Sequence, residues 1–223
     1  VNHPERFIEL VCNELLKNMP YGWVGVQLRT GERLPRPGNE LLMSGDTQHD
    51  TNQLSNIVAA MTCDIRTGTP MIAHSGDLFS QRLGEGTIAV PIENDGMVIG
   101  TLIAAEKQGA DTTVSSVDVK MLSATASQLG IFLENALLYE DLNATFFGTL
   151  EALTASIDAK DRYTCGHSQR VALLTAQLSE AAGLSEDQVD RYRIAGLVHD
   201  IGKIGVPESV LLKRGHLTDE EYA

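Results

Sequence analysis

Cysteine is scarce in this 223-residue chain and cations are outnumbered. The three cysteines, Cys12, Cys63 and Cys165, are odd in number and never form a Cys-x-x-Cys pair. That excludes a disulfide framework and a zinc-knuckle spacing, and we expect reduced thiols in a cytoplasmic protein. Lys and Arg number 17 against 30 Asp and Glu, a formal net charge of −13. This balance excludes a general binder of nucleic-acid polymers, because phosphate contacts need surplus cations. It leaves open a small anionic ligand held by a local cluster. Long hydrophobic runs are missing too. A stretch such as Val98 to Ala105 falls well short of the ~20 residues a membrane helix needs, so no membrane segment is expected in this chain. No charged-then-apolar signal opens the sequence. The first residue is Val1 rather than Met, which leads us to expect a processed or excised chain.

Apolar residues make up 43% of the chain, enough for globular domains with cores. The first segment mixes helix and strand signals. Phe7, Leu10, Val11, Leu15 and Leu16 recur at helical spacing until Pro20-Tyr21-Gly22. Trp23 to Leu28 reads as a strand, Thr30 to Asn39 as a loop, 40–45 as a second strand and Leu54 to Met61 as a helix. Thr87 to Ile92 and Val98 to Ala104 are β-branched runs around Glu93-Asn94-Asp95-Gly96, a strong hairpin signal. By periodicity alone this is an α+β core.

From Ser115 to Ile157 the pattern is helical. Val119, Leu122, Ala126, Leu129, Leu133 and Ala136 form a heptad seam. Glu140 and Asn143 break it, then Phe147, Leu150, Thr154 and Ile157 continue. Two partners for the seam stay open: the domain's own sheet, or a parallel homodimer through the helix around 117–157. The polar break sets the expected boundary, with domains at 1–140 and 141–223. The second segment reads as all-helical. Phe146, Phe147, Leu150, Leu153 and Ile157 share a face, and Asp161-Arg162-Tyr163-Thr164 interrupts it. Thr164 is the expected N-cap of a helix carrying His167, Val171, Leu174 and Leu178, ended by Gly183. Ser185 to Gln188 is a capping box for a helix that Gly202 stops. Pro207 suits a first helical position, and Thr218 to Glu221 is another capping box.

His199-Asp200 is the sharpest chemical feature. It ends an apolar helix and runs into Ile201-Gly202-Lys203-Ile204-Gly205. Imidazole nitrogen with carboxylate oxygen suits a divalent or trivalent first-row metal, and a carboxylate can bridge two. Such ions lower the pKa of water and clamp a phosphoryl group. Lys203, between two glycines, could pair with a phosphate oxygen. As an isolated dipeptide, His-Asp would more often be a solvated helix end.

The whole string changes that weighing, because it resembles the HD superfamily of metal-dependent phosphohydrolases, in particular its HD-GYP branch. Ile157 to Ala172, with His167, Ser168 and Arg170, looks like the branch's first ligand motif. His199 to Pro207 looks like the second, and Leu211 to Glu221 resembles the branch's next stretch of chain. The resemblance implies hydrolysis of cyclic di-GMP, with His167, His199 and Asp200 as metal ligands and Lys203 as a phosphate contact. Lys203 and Asp200 are the residues it makes catalytic. Arg170 could also reach a phosphate, or else form a surface salt bridge. The intact enzyme would hold two divalent or mixed-valence first-row ions, iron or manganese. Tyr163 stands where some members carry a Glu supporting a third ion. Later histidines, a further Asp and the Gly-Tyr-Pro loop are absent, and the Gly-His216-Leu context matches no ligand motif. Three ligands cannot hold two ions, which usually want four to six donors each. We therefore expect the N-terminal part of a longer enzyme, a site incomplete or empty in this chain, and little or no activity from it alone.

With that half identified, the first resembles a GAF domain: a helix, the Trp23 strand, a middle helix, a hairpin, then Ser115 to Asp118 leading into a long helix. The resemblance implies a six-stranded antiparallel sheet with helices on one side, an unknown small ligand and dimerisation. The Asn-Lys, Phe and Asp-Glu pattern of cyclic-nucleotide-binding members is not evident; Glu106-Lys107 stands where Asn-Lys is expected. Neither Cys12 nor Cys63 has the His context of bilin attachment. His49, His74 and Met71 read as loop or core residues rather than haem ligands. The expected architecture is an α+β GAF-like domain joined by a long helix to a truncated all-α HD-type bundle. The leading function is a sensor-regulated phosphodiesterase. The alternatives are a non-catalytic GAF binding and dimerisation module with a partial HD domain, and an HD hydrolase acting on mononucleotides.

Overall fold

Five strands pair into one antiparallel sheet in the computed structural model, which describes residues 4–29, 41–47, 50–74, 76–158 and 166–222. They are β1 (Tyr21–Leu28), β2 (Leu41–Gly45), β3 (Met71–Ile72), β4 (Ile88–Asn94) and β5 (Met97–Lys107), in the order β2-β1-β5-β4-β3. The resemblance implied six; five are found among the described residues. The expected loop at Thr30 to Asn39, and His49, lie outside them. The β4–β5 turn has Asp95 at φ 46° and Gly96 at φ 74°. Two successive positive φ values define a type I′ turn, which matches strand twist and favours Asp-Gly.

Helices cover both faces of this sheet, not one. Val24, Val26, Ile88, Val90, Ile92, Leu102 and Ala104 pack with α1 (Pro4–Asn18) and the first part of α4 (Ser116–Asp158). Trp23, Ala89, Ile103 and Ala105 point the other way, with α2 (Thr51–Asp64) and Leu83 of α3 (Leu78–Leu83). Strands apolar at both parities demand cover on both sides. Asp50 caps α2, accepting from Asn52 N at 2.8 Å and Gln53 N at 3.3 Å. At the start of α4, Ser115 N donates to Asp118 Oδ2 at 2.7 Å and Asp118 N donates to Ser115 Oγ at 3.2 Å. Lys107 Nζ reaches the same carboxylate at 2.6 Å, a nearly buried ion pair that pins the helix start to the end of β5.

The seam on α4 finds a partner within its own domain. Leu122, Ala126, Leu129 and Leu133 are all buried in the core that contains Ile8, Val24 and Leu102. Phe7 stacks on Phe132 with ring centroids 3.9 Å apart. Beyond that stretch Leu138, Leu142, Phe146 and Leu153 are exposed.

The chain falls into two compact units, Val1–Tyr139 and Glu140–Ala223. In the second, α5 (His167–Ala181) and α6 (Glu186–Val198) pack on each other through Ala172, Ala176, Val189, Gly196 and Leu197. Leu184 N donates to Ser179 O and Gly183 N to Glu180 O, the paired bonds that end α5 at Gly183. Ser185 N donates to Gln188 Oε1 at 3.1 Å, half of the capping box that opens α6. Contrary to expectation, α6 stops at Val198 rather than at Gly202, and a 3-10 turn follows over Ile201–Gly205. Gly202 and Gly205 both disfavour continued α-helix, and Lys203 N bonds to Asp200 O in the tighter i→i+3 pattern. Short helices α7 (Glu208–Leu211) and α8 (Asp219–Tyr222) complete the unit. Pro207 sits just ahead of α7 rather than inside it, and Thr218 N donates to Glu221 Oε2 ahead of α8.

Candidate metal centre

His167 is the first residue of α5, and His199-Asp200 follows the last residue of α6. The α5–α6 contact brings these separated positions together, and a glycine lets it close. A Cβ at Gly196 would lie 2.9 Å from Thr175 Oγ1 and 3.1 Å from the Ala172 Cα. Glycine fits that helix crossing without displacing its neighbours, three residues before His199.

The two imidazoles meet edge to face, with centroids 5.1 Å apart at 63°. Asp200 Oδ2 lies 3.3 Å from His199 Nε2 and 4.0 Å from His167 Nε2. One ligand atom from each residue lies within 4.8 Å of the others. Donors sharing one ion at about 2.0–2.2 Å stand at most about 4.4 Å apart. Neighbouring donors of a tetrahedral shell stand about 3.5 Å apart, so His199 Nε2 and Asp200 Oδ2 already sit at ligand spacing, while His167 Nε2 must move inward to join them.

The hydrogen bonds settle which atoms face the centre. His199 Nδ1 lies 2.9 Å from Gly196 O. A carbonyl only accepts, so Nδ1 carries the proton and a neutral ring offers the Nε2 lone pair toward Asp200. This backbone contact is the support that metal-ligating histidines commonly have. Two acceptors 3.3 Å apart repel unless a proton or cation stands by. Lys203 Nζ supplies one, 2.8 Å from the same Oδ2. That hydrogen bond holds the Asp200 carboxyl below the usual carboxylate range; partial burial opposes it, and the positive charge of Lys203 reinforces it.

Arg170 is exposed on the first turn of α5, which opens with His167 of the converging trio, and its guanidinium lies beside Gly166. His216 is likewise exposed and outside the trio. The N-cap of α5 is Gly166, not the expected Thr164, because the helix begins at His167; Thr164, Tyr163 and Cys165 themselves lie outside the described residues. Sequence reasoning assigned no role to Asp158, which ends α4 and is 6% exposed. Its Oδ1 accepts from Ser168 Oγ at 2.9 Å and its Oδ2 from Ser168 N at 3.3 Å. The signal available was its place within the same ligand motif, nine residues before His167.

A second feature lies in the sheet domain. A cavity of about 540 Å³ opens between the end of β1 and α2, lined by Gln27, Arg29, Asn56, Thr62 and Cys63 among others. Gln27 is 1% exposed, yet neither amide atom has a hydrogen-bond partner. Thr101, opposite it in the β1–β5 ladder, has an unpartnered Oγ1. Arg29 donates to the carbonyls of Thr62, Cys63 and Ile65 at the end of α2. His74 bonds the Ile72 carbonyl through Nδ1 at 2.8 Å.

Comparison with known proteins adds to this geometry. The family profile described as GAF domain matches residues 3–133, and that described as HD domain matches 164–222. A 3'3'-cGAMP-specific phosphodiesterase 2 of Vibrio cholerae is 35% identical over 115 residues, covering 52% of this chain and 22% of that protein. A cyclic di-GMP phosphodiesterase of Thermotoga maritima is 42% identical over 84 residues, 38% of this chain and 22% of its own length. The chain thus spans about a fifth of each of these relatives. A crystal structure of a GAF domain/HD domain protein from Geobacter sulfurreducens superposes with a TM-score of 0.45 at 15% identity, covering 61% of this chain and 95% of that one.

Proposed function

We propose a function from this premise: the chain belongs to the GAF family, and an HD domain follows its GAF domain. The protein of which this chain is part is a sensor-regulated, metal-dependent phosphodiesterase of the HD-GYP branch, and its substrate is a cyclic dinucleotide, cyclic di-GMP in the first place. The observation that carries this reading is the convergence of His167, His199 and Asp200 on one point from two helices. Relatives named for cyclic di-GMP and for 3'3'-cGAMP support the substrate class.

In this reading His167 Nε2, His199 Nε2 and Asp200 are metal donors. The ions are first-row, iron or manganese, two in the intact enzyme. Bound there, such ions supply a nucleophile from water at neutral pH and offset charge on phosphoryl oxygens. The protein's own residues do the rest. Gly196 O fixes the His199 ring so that Nε2 faces inward. Lys203 holds its ammonium beside Asp200, where it can exchange a carboxylate oxygen for a substrate phosphate oxygen. Arg170, one turn along α5 from His167, is a second phosphate contact. Three donors fill part of one ion's shell, so a two-ion centre draws on residues beyond this trio. That count favours the second reading for the chain taken alone, a GAF binding and dimerisation module with a partial HD domain.

The unassigned amide of Gln27 makes its cavity the proposed place for a small GAF ligand. Exposed Leu138, Leu142, Phe146 and Leu153 support a homodimer along α4. No helix among the described residues is long and apolar enough to cross a membrane, and the proposed location is the cytoplasm. The test is hydrolysis of cyclic di-GMP and 3'3'-cGAMP by the intact protein with Mn²⁺ or Fe²⁺, beside H199A. Turnover by wild type and its loss in H199A is expected. Equal rates in both, or no turnover of either substrate, refutes the enzymatic reading.

A further inference from the structure

We infer that Asp158 is a positioning residue for the His167 ring, acting across nine intervening residues as the acceptor that the start of α5 lacks. The inference rests on the metal reading only for its purpose; its geometry stands without an ion.

Helices begin with N–H groups that need acceptors, and an N-cap side chain normally meets the second or third of them. At α5 the N-cap is Gly166, at φ 67°, which has no side chain to offer. The second residue of the helix is Ser168, 2% exposed, so water cannot easily stand in. Its N–H and its hydroxyl both donate to the Asp158 carboxylate, one to each oxygen. Asp158 comes from the last turn of α4 and does in trans what a capping Ser or Asp does in cis. Its negative charge also lies at the positive end of the α5 dipole.

His167 is the residue before Ser168 and the first of the helix. If the first turn of α5 frays, His167 is the donor that leaves. His199 is held separately by Gly196 O, so loss of the Asp158 bonds should displace one ring of the pair and spare the other. Residues that orient ligands from behind typically cost about ten- to a hundred-fold in metal affinity when changed.

The test uses the 223-residue chain with ring-labelled histidine, first metal-free, then titrated with Mn²⁺. In wild type the T-shaped pair gives a ring-to-ring nuclear Overhauser effect between His167 and His199. D158N keeps the shape but leaves one Ser168 donor facing an amide N–H. S168A removes the hydroxyl bond alone, and S168T restores it. Expected are a loss of the ring-to-ring signal in D158N and a partial loss in S168A. S168T should retain it, and amide exchange protection along α6 should not change in any variant. Mn²⁺ affinity should fall about ten-fold in D158N. An unchanged ring-to-ring signal in both D158N and S168A overturns the inference, as does loss of α6 protection in all three variants, which would mark a merely structural bond. Should D158N fail to fold, S168A against S168T decides. Absence of Mn²⁺ binding in wild type, with the ring signal still dependent on Asp158, defeats the metal reading and leaves the positioning role standing.

Discussion

Replacing Gly196 by alanine tests the idea that one missing side chain lets the site assemble. The new Cβ would stand 2.9 Å from Thr175 Oγ1, 3.1 Å from the Ala172 Cα and 3.3 Å from the Ala172 N. Carbon atoms rest at about 3.5–4.0 Å, so the crossing must open by several tenths of an ångström. Two of the three obstacles are backbone and cannot rotate away. The third is a hydroxyl already engaged, since Thr175 Oγ1 donates to Val171 O at 2.7 Å. Overpacking of this kind costs about 1–3 kcal/mol. Alanine gives back about 0.5–1 kcal/mol of helix preference. The expected net loss is therefore about 1 kcal/mol, within a span of about 0 to 2.5. His199 lies three residues beyond the obstructed position, so the 4.0 Å gap from His167 to Asp200 should widen too. Amide hydrogen exchange read by mass spectrometry separates peptides of α5 and α6 from those of the sheet domain. Faster exchange confined to 168–198, with weaker Mn²⁺ binding, is the expected result. Slower exchange in G196A, or a G196V variant no worse than wild type, would refute the close-approach argument.

Burial raises the Asp118 carboxyl, but the bonds from Lys107 and Ser115 outweigh it, and the net position is below the usual carboxylate range. A depressed native pKa means stability that is present above the unfolded value, about 3.9, and lost as pH falls through the native one. Acid unfolding followed by Trp23, the single and fully buried tryptophan, should begin below about pH 4. D118N should shrink that acid dependence and cost about 3–5 kcal/mol at neutral pH by leaving Lys107 unpaired; an unchanged profile would count against the pair. Burial, aided by Glu9, pushes the Cys12 thiol up to about 12. Iodoacetamide at pH 8 should therefore modify exposed Cys63 and spare Cys12 until the domain unfolds, and equal labelling in peptide maps would contradict that. G130A places a Cβ onto Glu93 O, a backbone atom of β4. The sheet domain should lose at least about 2 kcal/mol in denaturant unfolding, and a neutral result would mean the α4–β4 approach is looser than described.

Much of the sheet domain and of the helix ends beyond it was legible because the signals are local. The Asp95-Gly96 turn is two adjacent residues with a stereochemical demand, and the Ser185 to Gln188 box is a contiguous word. β3 escaped because two residues carry no period, and α3 because six residues make fewer than two helical turns. The covering of both sheet faces is visible in principle, since Ile88 to Ile92 has no polar residue at either parity; the family resemblance implied helices on one side only. The α4 seam could not be resolved from sequence, because a heptad reads alike whether its partner is a sheet or a second helix. At the site, His199-Asp200 stands out as a dipeptide with flanking glycines. Its meeting with His167 depends on the Gly196 crossing, and Gly196 has no local mark. Asp158 was hidden for a related reason. Side chains that act across a gap in the helix leave no spacing rule behind.

The bonds from Asp158 to Ser168 also set where this sequence is least free to change in length. They tie the last residue of α4 to the second residue of α5, and His167 lies inside the span they close, one residue from its end. An epitope or a reporter peptide grafted there would bear directly on the histidine pair, so a handle that leaves the site alone belongs elsewhere in the chain.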